Sequence, residues 1–186
     1  MKKGRLGLAY LGSAAGLAEC PRPTAPEIAI AGRSNAGKSS LLNTLAGDHT
    51  MARVSKTPGR TQRLHFFDCA ALRLRLVDLP GYGWARASRE DRERWGQGID
   101  EYLVGRDALA AIVLLLDVRR DPEEDEQTLA EFAARRDLRL VRVATKVDKL
   151  GRGERARRLR QLEAAMPGGW IPFSATTGEG REALVD

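Results

Sequence analysis

The run Gly32-Arg33-Ser34-Asn35-Ala36-Gly37-Lys38-Ser39-Ser40 contains the G-x-x-x-x-G-K-[ST] spacing of a loop that cradles phosphates. The two glycines let the backbone curl until successive N–H groups converge on a polyphosphate, and the helix that starts here adds partial positive charge. Lys38 is then the cation for the β and γ phosphates, and the Ser39 hydroxyl is a ligand for Mg²⁺. The spacing alone does not say which nucleotide is held or whether it is cleaved.

Three further groups narrow the chemistry. Asp78-Leu79-Pro80-Gly81 offers a carboxylate that can hold a Mg²⁺-bound water and a glycine N–H that can sense a γ phosphate. Thr145-Lys146-Val147-Asp148 fits the [NT]-K-x-D pattern that reads guanine. The Asp148 carboxylate accepts from both N1–H and the exocyclic amino group of guanine, whereas adenine presents a lone pair at the first position and no amino group at the second. Sites of this kind discriminate by up to about 10⁴ to 10⁵, so GTP is expected over ATP. The Lys146 stem would cover the base, and Ser174-Ala175-Thr176 would give a backbone N–H to guanine O6. The polar segment Ser55 to Gln62, with Thr57, Gly59, Arg60 and Thr61 and then Arg63 beyond it, carries the Pro/Gly marks of an order-disorder switch. Thr61 is the preferred second hydroxyl ligand to Mg²⁺ because it stands just before a strand; Thr57 and Ser55 are its rivals.

These groups need strand ends and loops to hold them. Apolar segments at Ile28–Ala31, Leu64–Phe67, Leu72–Val77, Ala111–Leu116, Leu138–Ala144 and Trp170–Phe173 read as six strands. The short Cys69–Ala71 connection makes the second and third an antiparallel hairpin, and the other connections carry helices. The expected fold is α/β, a doubly wound, six-stranded, mostly parallel sheet with one antiparallel edge strand. Trp95, Ile99, Tyr102 and Leu103 share one helical face, a further helix runs from about Pro122 to Arg136, and another spans roughly Glu154 to Met166. Around that last helix cluster Arg152, Arg155, Arg157, Arg158 and Arg160, either a solvated face or a contact for RNA phosphates. Residues 178–186 read as a final helix that is short or cut.

With 186 residues the chain suits one domain, 1–186, whose first 25 residues are an extension ahead of the phosphate loop. A net charge of +6 and a pI near 9.7, with arginine dominating the basic residues, favour polyanionic partners or else reflect a compositional bias toward arginine and alanine. Cys20 and Cys69 lack metal-ligand spacing and read as reduced packing residues. The N-terminus superficially resembles a secretory signal, but Gly and Ser dilute its apolar stretch and Glu19 stands where a small residue is needed. A cytoplasmic monomer without membrane contact is expected.

Taken together, Pro26-Glu27-Ile28 leading into the phosphate loop, Thr57-Pro58-Gly59-Arg60-Thr61-Gln62, and especially Asp78-Leu79-Pro80-Gly81-Tyr82-Gly83-Trp84 resemble the EngB family of bacterial GTPases, in the class that includes Era, EngA and TrmE. Trp84 stands where that family usually has tyrosine. The resemblance implies a Ras-like P-loop G domain, Mg²⁺-dependent hydrolysis of GTP to GDP, and a part in assembling the large ribosomal subunit, through its precursor or its rRNA, with a linked need for normal septation.

Ras-like enzymes place glutamine after the D-x-x-G glycine to orient the attacking water; this chain has Tyr82, a poor base without an amide's paired donor and acceptor. Slow unaided turnover is therefore expected, with Lys38, Thr61, Gly81 and Asn35 as the catalytic set. Asn35 is also the candidate for holding K⁺ beside the β and γ phosphates, and Arg60, Arg63 and Arg86 are alternative sources of charge. His49 and His65 lie in no phosphate motif. The competing reading is an RNA- or ribosome-binding module gated by nucleotide with negligible cleavage.

Overall fold

The computed structural model describes residues 6–48, 63–81 and 98–185. In chain order these form β1 (Leu8–Ala14), β2 (Glu27–Gly32), α1 (Lys38–Ala46), β3 (Leu64–Cys69), β4 (Leu74–Asp78), α2 (helical residues 98–105), β5 (Leu109–Asp117), α3 (Glu124–Arg135), β6 (Arg139–Thr145), α4 (Arg152–Ala165) and β7 (Trp170–Pro172). The strands make one sheet in the order β1-β3-β4-β2-β5-β6-β7. β2 pairs in parallel with both β4 and β5, and the parallel run continues through β6 to β7.

Alternation along the strands sorts the helices to two faces. Ile30, Phe67, Leu76, Leu115 and Val143 pack against Leu41, Leu42 and Leu45 of α1. On the other face Ala29, Val77 and Ile112 meet Tyr102 and Leu103 of α2 and Ala133 of α3. Leu116 and Ala144, with the parity of Ile112 and Leu140, receive Leu162 of α4. β2 sends its helix to one face while its neighbour β5 sends α3 to the other. The loops leaving these two strands therefore part, opening a crevice at their carboxyl ends, where doubly wound sheets bind ligands. Among the described residues no helix is long and apolar enough to cross a membrane.

The α/β, mostly parallel arrangement agrees with the expectation, but the sheet has seven strands rather than six. Residues 8–14 form β1, antiparallel to β3, so the reversed strand β3 lies inside the sheet and not at its edge. The strand is hard to read because its register shifts between Tyr10 and Gly12, and Tyr10 and Leu11 are exposed, which breaks the in-out alternation. The β3–β4 turn is longer than the expected connection, spanning residues 70–73 with Arg73 in the left-handed region. α3 starts after Pro122: Glu123 is its N-cap, in a reciprocal capping box with Glu126. The expected last helix reduces to a 3₁₀ turn at Glu182–Leu184. Both cysteines are free thiols.

At the amino end of β2, Glu27 is fully buried. Its carboxylate accepts from Arg106 Nε and Nη2 at 2.9 and 2.6 Å, from Arg75 Nη1 at 3.3 Å and from Tyr102 Oη at 3.0 Å. Arg75 also donates to Asp68, while Arg106 Nη2 reaches the Pro21 carbonyl. One carboxylate thus ties β2, β4, α2 and the segment entering β2. Removing one member of such a group leaves buried charge uncompensated, at a cost of about 3–5 kcal/mol. Glu27→Ala is expected to lower the unfolding free energy by that amount in a urea titration of the nucleotide-free protein; a loss below about 1 kcal/mol would show the arginines finding other partners.

Candidate functional site

The phosphate-loop residues 32–40 connect β2 to the first turn of α1. Gly32 lies where a Cβ would sit 2.7 Å from the Leu115 carbonyl, so β2 and β5 approach each other only with glycine at this position. Gly37, at φ 108°, caps α1, and no side chain does. The first-turn N–H groups of α1 are thus left to an external acceptor. Lys38 Nζ donates to the Gly32 carbonyl at 2.9 Å, folding its ammonium back over the loop. Gly81 closes on the same place: a Cβ there would stand 2.9 Å from Lys38 Nζ and 3.1 Å from Ser34 N.

Asp78 ends β4 in register with Ile30. It is buried, and its Oδ1 has no hydrogen-bond partner among the described residues. Burial pushes its pKa up to about 6, against the opposing pull of the Lys38 charge. Burial in turn lowers the pKa of Lys38, and Asp78 works in the other direction. A desolvated carboxylate oxygen with an unused lone pair, near enough to Lys38 to feel its charge, suits a hard divalent cation, and the Ser39 hydroxyl in the first turn of α1 is a second oxygen donor of the right kind. Among the described residues no group of three or more His, Cys, Asp or Glu offers a competing metal site.

Residues 145–148 are tied to the phosphate loop. Thr145 Oγ1 donates to the Ala36 carbonyl at 2.7 Å, and Lys146 Nζ donates to the Asn35 carbonyl at 2.7 Å. Asn35 and Lys146 both adopt left-handed backbone angles, φ 65° and 59°. Ser174 Oγ donates to Asp148 Oδ1 at 2.7 Å and accepts the N–H groups of Thr176 and Thr177, each at 3.2 Å. The Ser174 hydrogen bond lowers the pKa of Asp148, with Lys149 adding to it against some burial. The Ala175 N–H is taken by no acceptor among the described residues.

Not every expected residue contributes its side chain here. Leu79 and Val147 are buried in the core clusters, leaving the site their backbones alone. Arg63 is engaged away from the loop, donating to Ser13 Oγ and the Ser13 carbonyl at the end of β1 and pairing with Glu19 in the 3₁₀ turn Leu17–Glu19. Arg33 pairs with Glu123 at the N-cap of α3. Ser34, Ser40 and Pro80 stay in the loop and its neighbourhood. Gly59, Arg60, Thr61 and Gln62, the rivals Ser55 and Thr57, and Tyr82, Trp84, Arg86, His49 and Trp95 lie outside the described residues.

Sequence reasoning missed Asp117, at the end of β5. Its carboxylate pairs with Lys146 at 3.0 Å and with Arg119 at 2.6 Å. Burial resists its ionisation, yet the hydrogen bonds from Arg119 and Lys146 hold its pKa well below the usual carboxylate range. With Arg33, Asn35, Arg119, Arg120 and Lys146 it lines a cleft of about 110 Å³ between the phosphate loop and the β5 end. The aspartate closing an apolar strand run was the available signal.

A family model described as 50S ribosome-binding GTPase matches residues 27–146. A probable GTP-binding protein EngB of Anaeromyxobacter dehalogenans (strain 2CP-C) is 48% identical over 177 residues, covering 89% of this chain and 82% of the relative. The chain belongs to the EngB family of GTP-binding proteins. The Streptococcus sanguinis (strain SK36) member is 44% identical over 178 residues, covering 94% of this chain and 91% of its own. In fold the chain is similar to a crystal structure of a probable GTP-binding protein engB, with a TM-score of 0.68 over 85% of this chain and 94% of that one at 24% identity. The architecture is that of a Ras-like G domain.

The Asp78 environment sets a pH dependence. A carboxyl with a folded pKa of about 6 against an ordinary 3.8 favours the folded state when protonated; that advantage is whole below 3.8 and is lost as pH rises through 6. In the metal- and nucleotide-free protein, Asp78→Asn is expected to raise stability at pH 7.5 by about 1–3 kcal/mol and to flatten the profile between pH 4 and 7. Denaturant melts across that range check it, and a destabilised variant would show that the carboxylate is already satisfied.

Proposed function

We propose that the protein hydrolyses GTP to GDP with Mg²⁺ and uses the cycle as a switch in assembly of the large ribosomal subunit, binding its precursor or rRNA as a cytoplasmic monomer. The observation that carries the nucleotide reading is the pair of hydrogen bonds from Thr145 and Lys146 to the carbonyls of Ala36 and Asn35. They make the guanine-reading carboxylate of Asp148 and the phosphate cradle one unit. The family description supports the ribosomal role, the relatives support GTP binding, and the resemblance extends the reading to normal septation. The chain acts as a single domain, 1–186, with residues 1–25 as its N-terminal extension.

In this reading the backbone of Gly32 to Ser40 grips the phosphates while Lys38 exchanges the Gly32 carbonyl for the β and γ phosphate oxygens. Ser39 and Asp78, joined by Thr61, would hold Mg²⁺, which would supply charge neutralisation for the triphosphate. Gly81, already against Lys38 and Ser34, donates its N–H to the γ phosphate when GTP is present. Asp148 takes N1–H and the amino group of guanine, the Lys146 stem covers the base, and the unclaimed Ala175 N–H meets O6. Asn35 is the K⁺ candidate, and Gly59, Arg60, Gln62 and Arg63 border the switch.

Tyr82 in place of glutamine supports slow intrinsic turnover, raised by the partner, and also supports a second reading in which nucleotide merely gates binding. Calorimetry is expected to register GDP and GTP but not ADP or ATP, with Asp148→Asn weakening GTP at least 100-fold. Single-turnover hydrolysis should be slow alone and faster with large ribosomal subunits, and K⁺ should outperform Na⁺. Absence of cleavage with subunits present favours the second reading, equal rates in both salts remove the K⁺ role, and competition by ATP refutes the guanine assignment.

A further inference from the structure

Asp117 and Thr145 stand side by side at the carboxyl ends of β5 and β6, and the Asp117 side chain is 6% exposed. Asp117 Oδ1 accepts from the Arg119 backbone N–H at 3.1 Å and from Arg119 Nε at 2.9 Å. Its Oδ2 is shared, with Arg119 Nη2 at 2.6 Å and Lys146 Nζ at 3.0 Å. The same ammonium donates to the Asn35 carbonyl in the phosphate loop. Two cations therefore meet on one carboxylate oxygen, inside a cleft that Arg33 and Arg120 also line.

We infer that Asp117 is a positioning residue for nucleotide binding: it fixes the Lys146 ammonium against the phosphate loop, so that the lysine stem is a preformed wall for the guanine base. The inference rests on the guanine reading above. A lysine stem has four flexible carbons, and ordering it only when the nucleotide arrives costs rotamer entropy. Holding it beforehand removes that cost. Without the aspartate charge, Arg119 and Lys146 face each other across a neutral group and repel, and Arg33 is already committed to Glu123. Lys146 then swings out, the loop carbonyl loses its donor, and the base loses its cover. Arg119, half exposed, is the partner that Asp117 can lose without consequence for Lys146.

The test measures release of N-methylanthraniloyl-GDP from wild type, Asp117→Asn, Lys146→Ala, the double variant and Arg119→Gln, alongside melting of each nucleotide-free protein. Asp117→Asn should release the probe about tenfold faster, the scale of a lost charge-assisted hydrogen bond, with unchanged melting. The double variant should release no faster than Lys146→Ala, and Arg119→Gln should stay within about twofold of wild type. Wild-type release from Asp117→Asn, additive effects in the double variant, or release from Arg119→Gln as fast as from Asp117→Asn would overturn the inference. So would an Asp117→Asn protein that no longer folds, since the group would then serve stability. Wild type that retains no probe would instead overturn the guanine reading itself.

Discussion

The rest of the site depends on which way the phosphate-loop carbonyls point. A trans peptide is planar, so a carbonyl held on one side sends the next residue's N–H to the other. Thr145 holds the Ala36 carbonyl toward the end of β6, which leaves the Gly37 N–H on the concave side with the uncapped first turn of α1. Lys146 does the same for Asn35, and the Ala36 N–H is spent on the Arg33 carbonyl, closing the turn. The cradle is thus shaped by donors from a neighbouring strand end before any anion arrives. Its rigidity is tertiary even though its sequence is local.

Buried charge is treated in opposite ways at the two ends of the sheet. Glu27, at the amino end of β2, has two guanidiniums and a phenol around it and is saturated. Asp78, at the carboxyl end of β4, has one oxygen with nothing to accept from among the described residues and an elevated pKa. An unpaired buried carboxylate weakens a fold, and a protein tolerates it where a ligand completes it. The saturated group fastens α2, whose chain arrives from the segment beyond Gly81, and the unsaturated one stands where that segment begins. The saturated end adds to stability, and the unsaturated end carries a desolvation cost.

How much of this was legible in the sequence follows from the range of each interaction. The phosphate loop, D-x-P-G and T-K-x-D are local because glycine angles, a short turn and a strand end fix them within a few residues. The parallel core strands are legible for the same reason, being continuous apolar runs. β1 was not, since a bulged edge strand with exposed Tyr10 and Leu11 has no regular alternation. Glu27 reads as an ordinary strand residue, because the partners that bury it come from residues 75, 102 and 106. Asp117 was missed for the same cause: its meaning is set by Lys146, one strand away in space and a helix away in sequence.

The arginine content illustrates how composition misleads when partners are distant. Arg155 pairs with Glu179, and Arg158 donates to the Val118 and Arg120 carbonyls and to Asp121, so two members of the α4 cluster brace the loops that follow β5 and β7. Arg181 donates to the last carbonyls of α1, where a cation suits the helix end. Arg33, Arg63, Arg75, Arg106 and Arg119 are likewise claimed by carboxylates. The count of 31 basic residues therefore overstates the cations open to a polyanion. On α4 the arginines left exposed are Arg152, Arg157 and Arg160, and Arg157 and Arg160, three apart, project from the side opposite Leu162. Counterion release scales with the phosphates actually neutralised, so the salt slope of any polyanion complex counts unpaired arginines and not the arginine content of the chain.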